Sequence, residues 1–259
     1  MHCFMGGLNS IVLLKDLAAY LDQELEIAKV VGDFSNGLLV KGVENVQKVG
    51  IATNATFEVI NRASSRQVQF LLTHHGGWSE IDLHHADEKK RMLSESGISL
   101  YVAHASLDNS ERIGTSKILA ELLGLSVQGH FADYCAGRSG SYGDVAKQSF
   151  GKFVRRISRV PGSELTCFRN SRGPVHRVAI VTGGGYMTKW IEEAALLGCD
   201  TYVTGEGSMF APIYCRERKI NLVYAGHTAT ERPAVINLGK ELGKAFPRTR
   251  IVAIPETFF

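Results

Sequence analysis

The sequence predicts an α/β fold made of two related repeats with mostly parallel or mixed sheets. Three observations carry that expectation. Two distant stretches share one pattern, each alternates strand-like with helix-like runs, and in both copies the apolar runs end in polar residues. The first copy follows Lys48 with VGIATNATFEVINRASSRQVQFLLTHHGG. The second follows Arg177 with VAIVTGGGYMTKWIEEAALLGCDTYVTGEGS. THH at 73–75 stands where TGE stands at 204–206. Strands alternating with helices of this length form right-handed βαβ units, and open sheets of that kind bind ligands where their strands end.

The parallel continues along the chain. Helix-like ADEKKRMLSESG and APIYCRERK lead into ISLYVAHASLD and INLVYAGHTATE, where His104 precedes Asp108, and His227 precedes Glu231, by four residues. The first repeat takes in about 1–135 and the second about 136–259, as one structural unit. Between the copies, 136–177 is rich in Gly, Ser and Arg and reads as a loop plus one helix. FVRRISR at 153–159 within it alternates charge as a helix with one solvated face does, not as a nucleic-acid stripe.

The totals exclude several classes. A hydrophobic fraction of 44% and a charged fraction of 21% are ordinary for a globular chain. A net charge of +3 is too weak to argue for a nucleic-acid partner. IVLL followed at once by KDLAAYLDQEL reads as an amphipathic helix rather than a signal peptide, and no run approaches the ~18 apolar residues of a membrane span. Five scattered cysteines without C-x-x-C suit reduced thiols, so a cytoplasmic protein is expected.

His74, His75, Asp108, His227 and Glu231 are the candidate metal ligands. Imidazole and carboxylate together suit borderline divalent ions such as Zn, Mn, Fe or Ni. Five donors exceed the needs of one catalytic ion, whereas two ions about 3.5–4 Å apart with bridging carboxylates would use them all. Neighbours on a strand face opposite ways, so the adjacent histidines need a strand end. Gly76 and Gly77 are read as supplying it through backbone angles other residues avoid. A rival cluster, His84, His85 and Asp87, falls where a polar loop enters a helix and reads as surface. His104 is a partner of a ligand or a proton donor. TGGGY at 182–186 opens a helix and could admit a phosphate, although a tight turn explains it equally well.

With THH, YVAHASLD, VAIVTGGG, DTYVTGE and AGHTATE in this order, and GDFSNGLLV at 32–40, the chain resembles the YbgI-like family over nearly its whole length. That family, labelled GTP cyclohydrolase I type 2 homolog, includes the Ngg-interacting-factor-three-like proteins. The resemblance implies two intertwined α/β lobes with a dinuclear metal site between them, and no inserted extra domain. It implies a homo-oligomer, a toroidal hexamer, and two divalent ions per subunit held by the same His74, His75, Asp108, His227 and Glu231. Many members have proline after the histidine pair where this chain has Gly76.

A metal-dependent hydrolase acting on a purine nucleotide or related heterocycle follows, with His104 or Glu206 as the group that protonates ring nitrogen. The competing expectation is a protein that stores, delivers or senses a divalent metal through partners.

Overall fold

Parallel strands covered on both faces bury nearly every side chain, which is why the central runs of both repeats are mainly apolar. The computed structural model describes residues 12–77 and 82–258. In the first sheet β1 (Gly37–Val40) lies antiparallel to β4 (Ser99–Val102). β4 runs parallel to β3 (Phe70–His75), β3 to β2 (Lys48–Asn54), and β2 to β11 (Arg250–Ala253) at the other edge. The second sheet has β8 (Val175–Val181), β9 (Thr201–Thr204) and β10 (Asn221–Tyr224) as its parallel centre. β5 (Ser126–Tyr134) and β6 (Gly137–Gln148) extend it antiparallel beyond β8, and β7 (Thr166–Phe168) pairs antiparallel with β10. The fold is therefore the mixed α/β architecture expected, with two sheets.

The segment 136–177 differs from the expected loop and helix, because it holds β6 and β7 as well. Its composition hides the strand. A Cβ on Gly140 would come within 2.6 Å of Phe131, and one on Gly143 within 2.4 Å of the Ser126 carbonyl, so β6 uses glycine where neighbours already fill the space. The expected helix is α6 (Phe150–Ile157), burying Phe150, Phe153 and Ile157, with Arg155 exposed and Arg156 donating to the Leu123 carbonyl (2.6 Å). The N-terminal helix is α1 (Leu14–Glu24), with Leu14, Leu17, Ala18 and Leu21 on its buried face. Ile11, which opens IVLL, lies outside the described residues.

Five further helices follow or cross the strands: α2 (Phe57–Ser65), α3 (His84–Glu95), α7 (Thr188–Leu196), α8 (Phe210–Glu217) and the one-turn α4 (Ala105–Asp108). Two more, α5 (Thr115–Leu122) and α9 (His227–Ala245), decide the architecture. α9 follows the last central strand of the second sheet, yet its Ala234, Val235, Leu238 and Leu242 pack on Val49, Ile51, Phe70 and Leu72 of the first. α5 follows the first sheet, and its Leu119 and Ala120, with Leu123 just beyond, pack on Val178, Ile180, Val203 and Val223 of the second. The copies thus exchange helices. Hydrogen bonds pin each exchange, from Asn54 Nδ2 to Thr228 Oγ1 (3.0 Å) and from the Thr182 amide to Ser116 Oγ (3.2 Å).

Glu256 closes the first sheet. Its buried carboxylate accepts from the amides of Thr53 (2.9 Å) and Asn54 (3.0 Å) and from Arg232 Nη1 (3.1 Å). Replacing it by alanine strands a guanidinium and two amides. We expect Glu256→Ala to lose about 3 kcal/mol of stability, read as a lower urea midpoint at unchanged m-value.

Candidate metal centre

The adjacent histidines close β3, and the strand end brings both rings to one carboxylate. Their centroids lie 4.5 Å apart with planes tilted by 49°. His74 Nε2 is 3.6 Å from Glu231 Oε1, and His75 Nε2 is 3.4 Å from Glu231 Oε2, so each ring takes one oxygen. The glycines after them act differently from the expectation. Neither has a positive φ; a Cβ on Gly76 would lie 3.0 Å from Val102 Cγ2, and one on Gly77 3.2 Å from Ala86 Cα. They allow close passage of the chain rather than unusual backbone angles.

The other donors sit on helices, which explains their spacing: residues i and i+4 share a helix face. His227 and Glu231 occupy the first turns of α9, with Nε2 and Oε1 3.1 Å apart. Asp108 ends α4, where its Oδ1 lies 3.6 Å from His74 Nε2 and accepts from Thr115 Oγ1 at 2.6 Å. Gly183, the first glycine of TGGGY, backs the cluster with φ +60°, and a Cβ there would fall 2.1 Å from Glu231 Oε1. TGGGY is thus a turn against the site.

Each imidazole is held through Nδ1 by a different part of the fold. His74 donates to the Ala103 carbonyl (2.6 Å) and His75 to Asn54 Oδ1 (2.7 Å). His104 is paired with Asp33 Oδ2 (2.7 Å) and His227 with Glu206 Oε2 (3.2 Å). Such bonds set the tautomer and aim Nε2, as they do for metal-binding histidines. His74 Nε2 and Glu231 Oε2 are buried with no hydrogen-bond partner, an orphaned donor-atom pair that suits a metal ion. Among the described residues two groups have the mutual proximity to hold an ion: His74, His75 and His104, and His75, His227 and Glu231, each with donor atoms within 4.8 Å of one another.

The electrostatics agree with a site that seeks positive charge. Burial pushes the Glu231 carboxyl up, but the surrounding His75, His74 and His227 outweigh it and hold it well below the usual range. Burial disfavours charge on His74, yet Asp108 and Glu231 raise it to about 9. Burial disfavours charge on His227 too, and Glu231 and Glu206 raise it to about 9. His75 goes the other way, to about 3, because burial and its three imidazole neighbours prevail over Glu231.

His104, assigned a proton role from sequence, lies close enough to His74 and His75 to share an ion with them. Glu206 is half exposed and contacts His227. His84 and His85 begin α3 on the surface with Asp87, outside both donor groups. Sequence reasoning missed Asp33, Asn36 and Asn54. In GDFSNG, Asp33 accepts from the Ala105 amide (3.1 Å), while Asn36 Oδ1 accepts from the amides of His104 (2.9 Å) and Ser106 (3.1 Å). The loop thereby caps α4 and aims His104; its Asp, Ser and Asn in close succession were the available signal.

Two mixed sheets whose strand ends gather histidines and carboxylates define an α/β protein with a candidate metal centre. The chain belongs to the DUF34/NIF3 (NGG1p interacting factor 3) family, whose family model matches residues 12–257. It is 31% identical over 242 residues to a "GTP cyclohydrolase 1 type 2 homolog" of Haemophilus influenzae, covering 89% of this chain and 93% of that one. A protein of the same description from Borreliella burgdorferi is 30% identical over 231 residues, covering 87% and 91%. Among solved structures, "protein ybgI, unknown function" superposes with a TM-score of 0.84 at 26% identity, covering 94% of this chain and 99% of that one. TTHA1606 from Thermus thermophilus gives 0.80 at 28%, covering 95% and 98%.

Gly183 offers a clean test of the geometry. Gly183→Ala should lower stability by about 1–3 kcal/mol and disturb Glu231. Gly198→Ala, at φ +78° with nothing within 4 Å of its Cβ, should show only the smaller backbone cost. Thermal melts of the two variants make the comparison.

Proposed function

We propose that this chain is a dinuclear-metal-dependent hydrolase, with His74, His75, Asp108, His227 and Glu231 as the metal ligands and a purine nucleotide or related heterocycle as the substrate class. The observation that carries the reading is the convergence of these donors on a cleft of about 800 Å³ that reaches His75, Asp108, His227 and Glu231. Glu231 presents one oxygen to each adjacent histidine and would hold metal together with them. Bound divalent ions would supply Lewis acidity, polarising the attacked carbon and bringing the pKa of water near neutral.

The chain's own residues do the rest. His104, with Nδ1 committed to Asp33, exchanges protons through Nε2 and delivers one to the ring nitrogen of the substrate. Glu206 holds His227 in register through Nδ1. The substrate class comes from the name borne by the relatives. A second reading, metal storage, delivery or sensing, draws support from His104 as an additional donor beside His74 and His75, which would leave less room for water.

Asp108→Asn should lower metal affinity by more than about tenfold, measured as metal content after dialysis, and abolish turnover of heterocycles. Retained metal in that variant would overturn the ligand set; full metal without turnover in the parent protein would favour the second reading. The pH dependence has a definite sign. His74 and His227 carry protons up to about pH 9, and an incoming ion must displace them. Metal affinity should therefore rise with pH until about 9, with protons released on uptake at neutral pH, as calorimetry in buffers of different ionisation enthalpy would show.

The same reading includes a ring of six copies in a reducing, cytoplasmic setting. Exposed Met187, Phe210 and Ile213 line one shallow apolar cleft suited to burial between subunits, and the four described cysteines are free thiols. Light scattering should give a mass near six times 28.3 kDa. Among the described residues no helix is long and apolar enough to cross a membrane.

A further inference from the structure

The charge of the cleft bears directly on the substrate. Four carboxylates line it, those of Asp33, Asp108, Glu206 and Glu231, and among the described residues no lysine or arginine does. Residues 1–11, 78–81 and 259, which lie outside the described set, contain no lysine or arginine in sequence. Two divalent ions would bring four positive charges, which those four carboxylates already match.

A nucleoside triphosphate carries several negative charges, and sites built for it surround the phosphates with Lys, Arg, helix N-termini or dedicated ions. Lys189 and Arg232, which adjoin the lining residues Trp190 and Glu231 in sequence, do not fill that role. Lys189 Nζ lies over the ring of Trp190, 5.4 Å from its centroid, and offers a single charge. Arg232 is committed to Glu256 at 3.1 Å. What the cleft does present is the aromatic trio Tyr134, Tyr186 and Trp190. Aromatic walls receive planar rings, and about 800 Å³ holds a nucleoside with room to spare.

We infer that the substrate of this centre is an uncharged planar heterocycle, a purine-type base or its nucleoside, rather than a nucleoside triphosphate. The inference rests on the metal-hydrolase reading and narrows it. The GTP in the relatives' description does not match the charges this chain sets around its cleft.

The test uses the full-length, metal-loaded protein with guanine, guanosine and GTP in low salt, with metal content measured after each titration so that any stripping of the centre by nucleotide is seen. Calorimetry gives binding, and loss of purine absorbance gives ring opening. Guanosine should bind at least about tenfold more tightly than GTP, and the gap should narrow with added salt. Lys189→Gln should leave that order unchanged. GTP binding as tightly as guanosine or more so, a loss of GTP affinity confined to Lys189→Gln, or no binding of either uncharged compound would overturn the inference. Binding in the expected order without ring opening would sink the hydrolase reading alone and leave the charge selection standing.

Discussion

The buried carboxylate of Glu231 ties the two sheets to one another and to the candidate metal centre. A charge removed from water in this way is costly unless partners surround it. Its partners come from both copies of the repeat: His227 from its own helix, and His74 and His75 from the end of β3 in the other sheet. That meeting requires α9 to cross onto the first sheet, where Leu238 and Leu242 join its core. Helix exchange and charge compensation are therefore one event. A chain that failed to exchange α9 would leave the carboxylate and two imidazoles without their partners.

The cluster is also held from outside. Four imidazoles are oriented through Nδ1 by a backbone carbonyl, an amide and two carboxylates, each on a different element. The support extends a further step, since Asn54, which holds His75, is itself held by Thr228 and by Glu256 near the C-terminus. Geometry of this kind is settled before any ligand arrives, which lowers the reorganisation needed on binding. The carboxylates that orient the rings also leave the cleft acidic, so positioning and ligand selection share the same residues.

Much of this was legible in the sequence. Apolar runs ending in THH and TGE marked the two parallel cores, whereas the four-residue spacings of His104 with Asp108 and His227 with Glu231, read as matching strand ends, fall on helices that begin just after β4 and β10. The misses have physical causes. Strand β6 was hidden because Gly140 and Gly143 make room for Phe131 and for the neighbouring backbone, so the usual β-branched signal is absent. Asp33 was hidden because its partner, His104, lies 71 residues away, beyond the reach of any local pattern. Gly76 and Gly77 were assigned the wrong freedom, since only packing against Val102 and Ala86 shows that space, not backbone angle, is what they supply.

The α/β class and candidate donors such as His74, His75, His227 and Glu231 were readable from the sequence, because periodicity and residue chemistry are local properties. Tertiary structure alone decided that α5 and α9 change places, that one carboxylate stands between two adjacent histidines, and that no lysine or arginine lines the cleft among the described residues. Those outcomes depend on which distant faces pack together. That choice is made by burying apolar surface and pairing buried charge over the whole chain at once, and no single stretch of residues carries it.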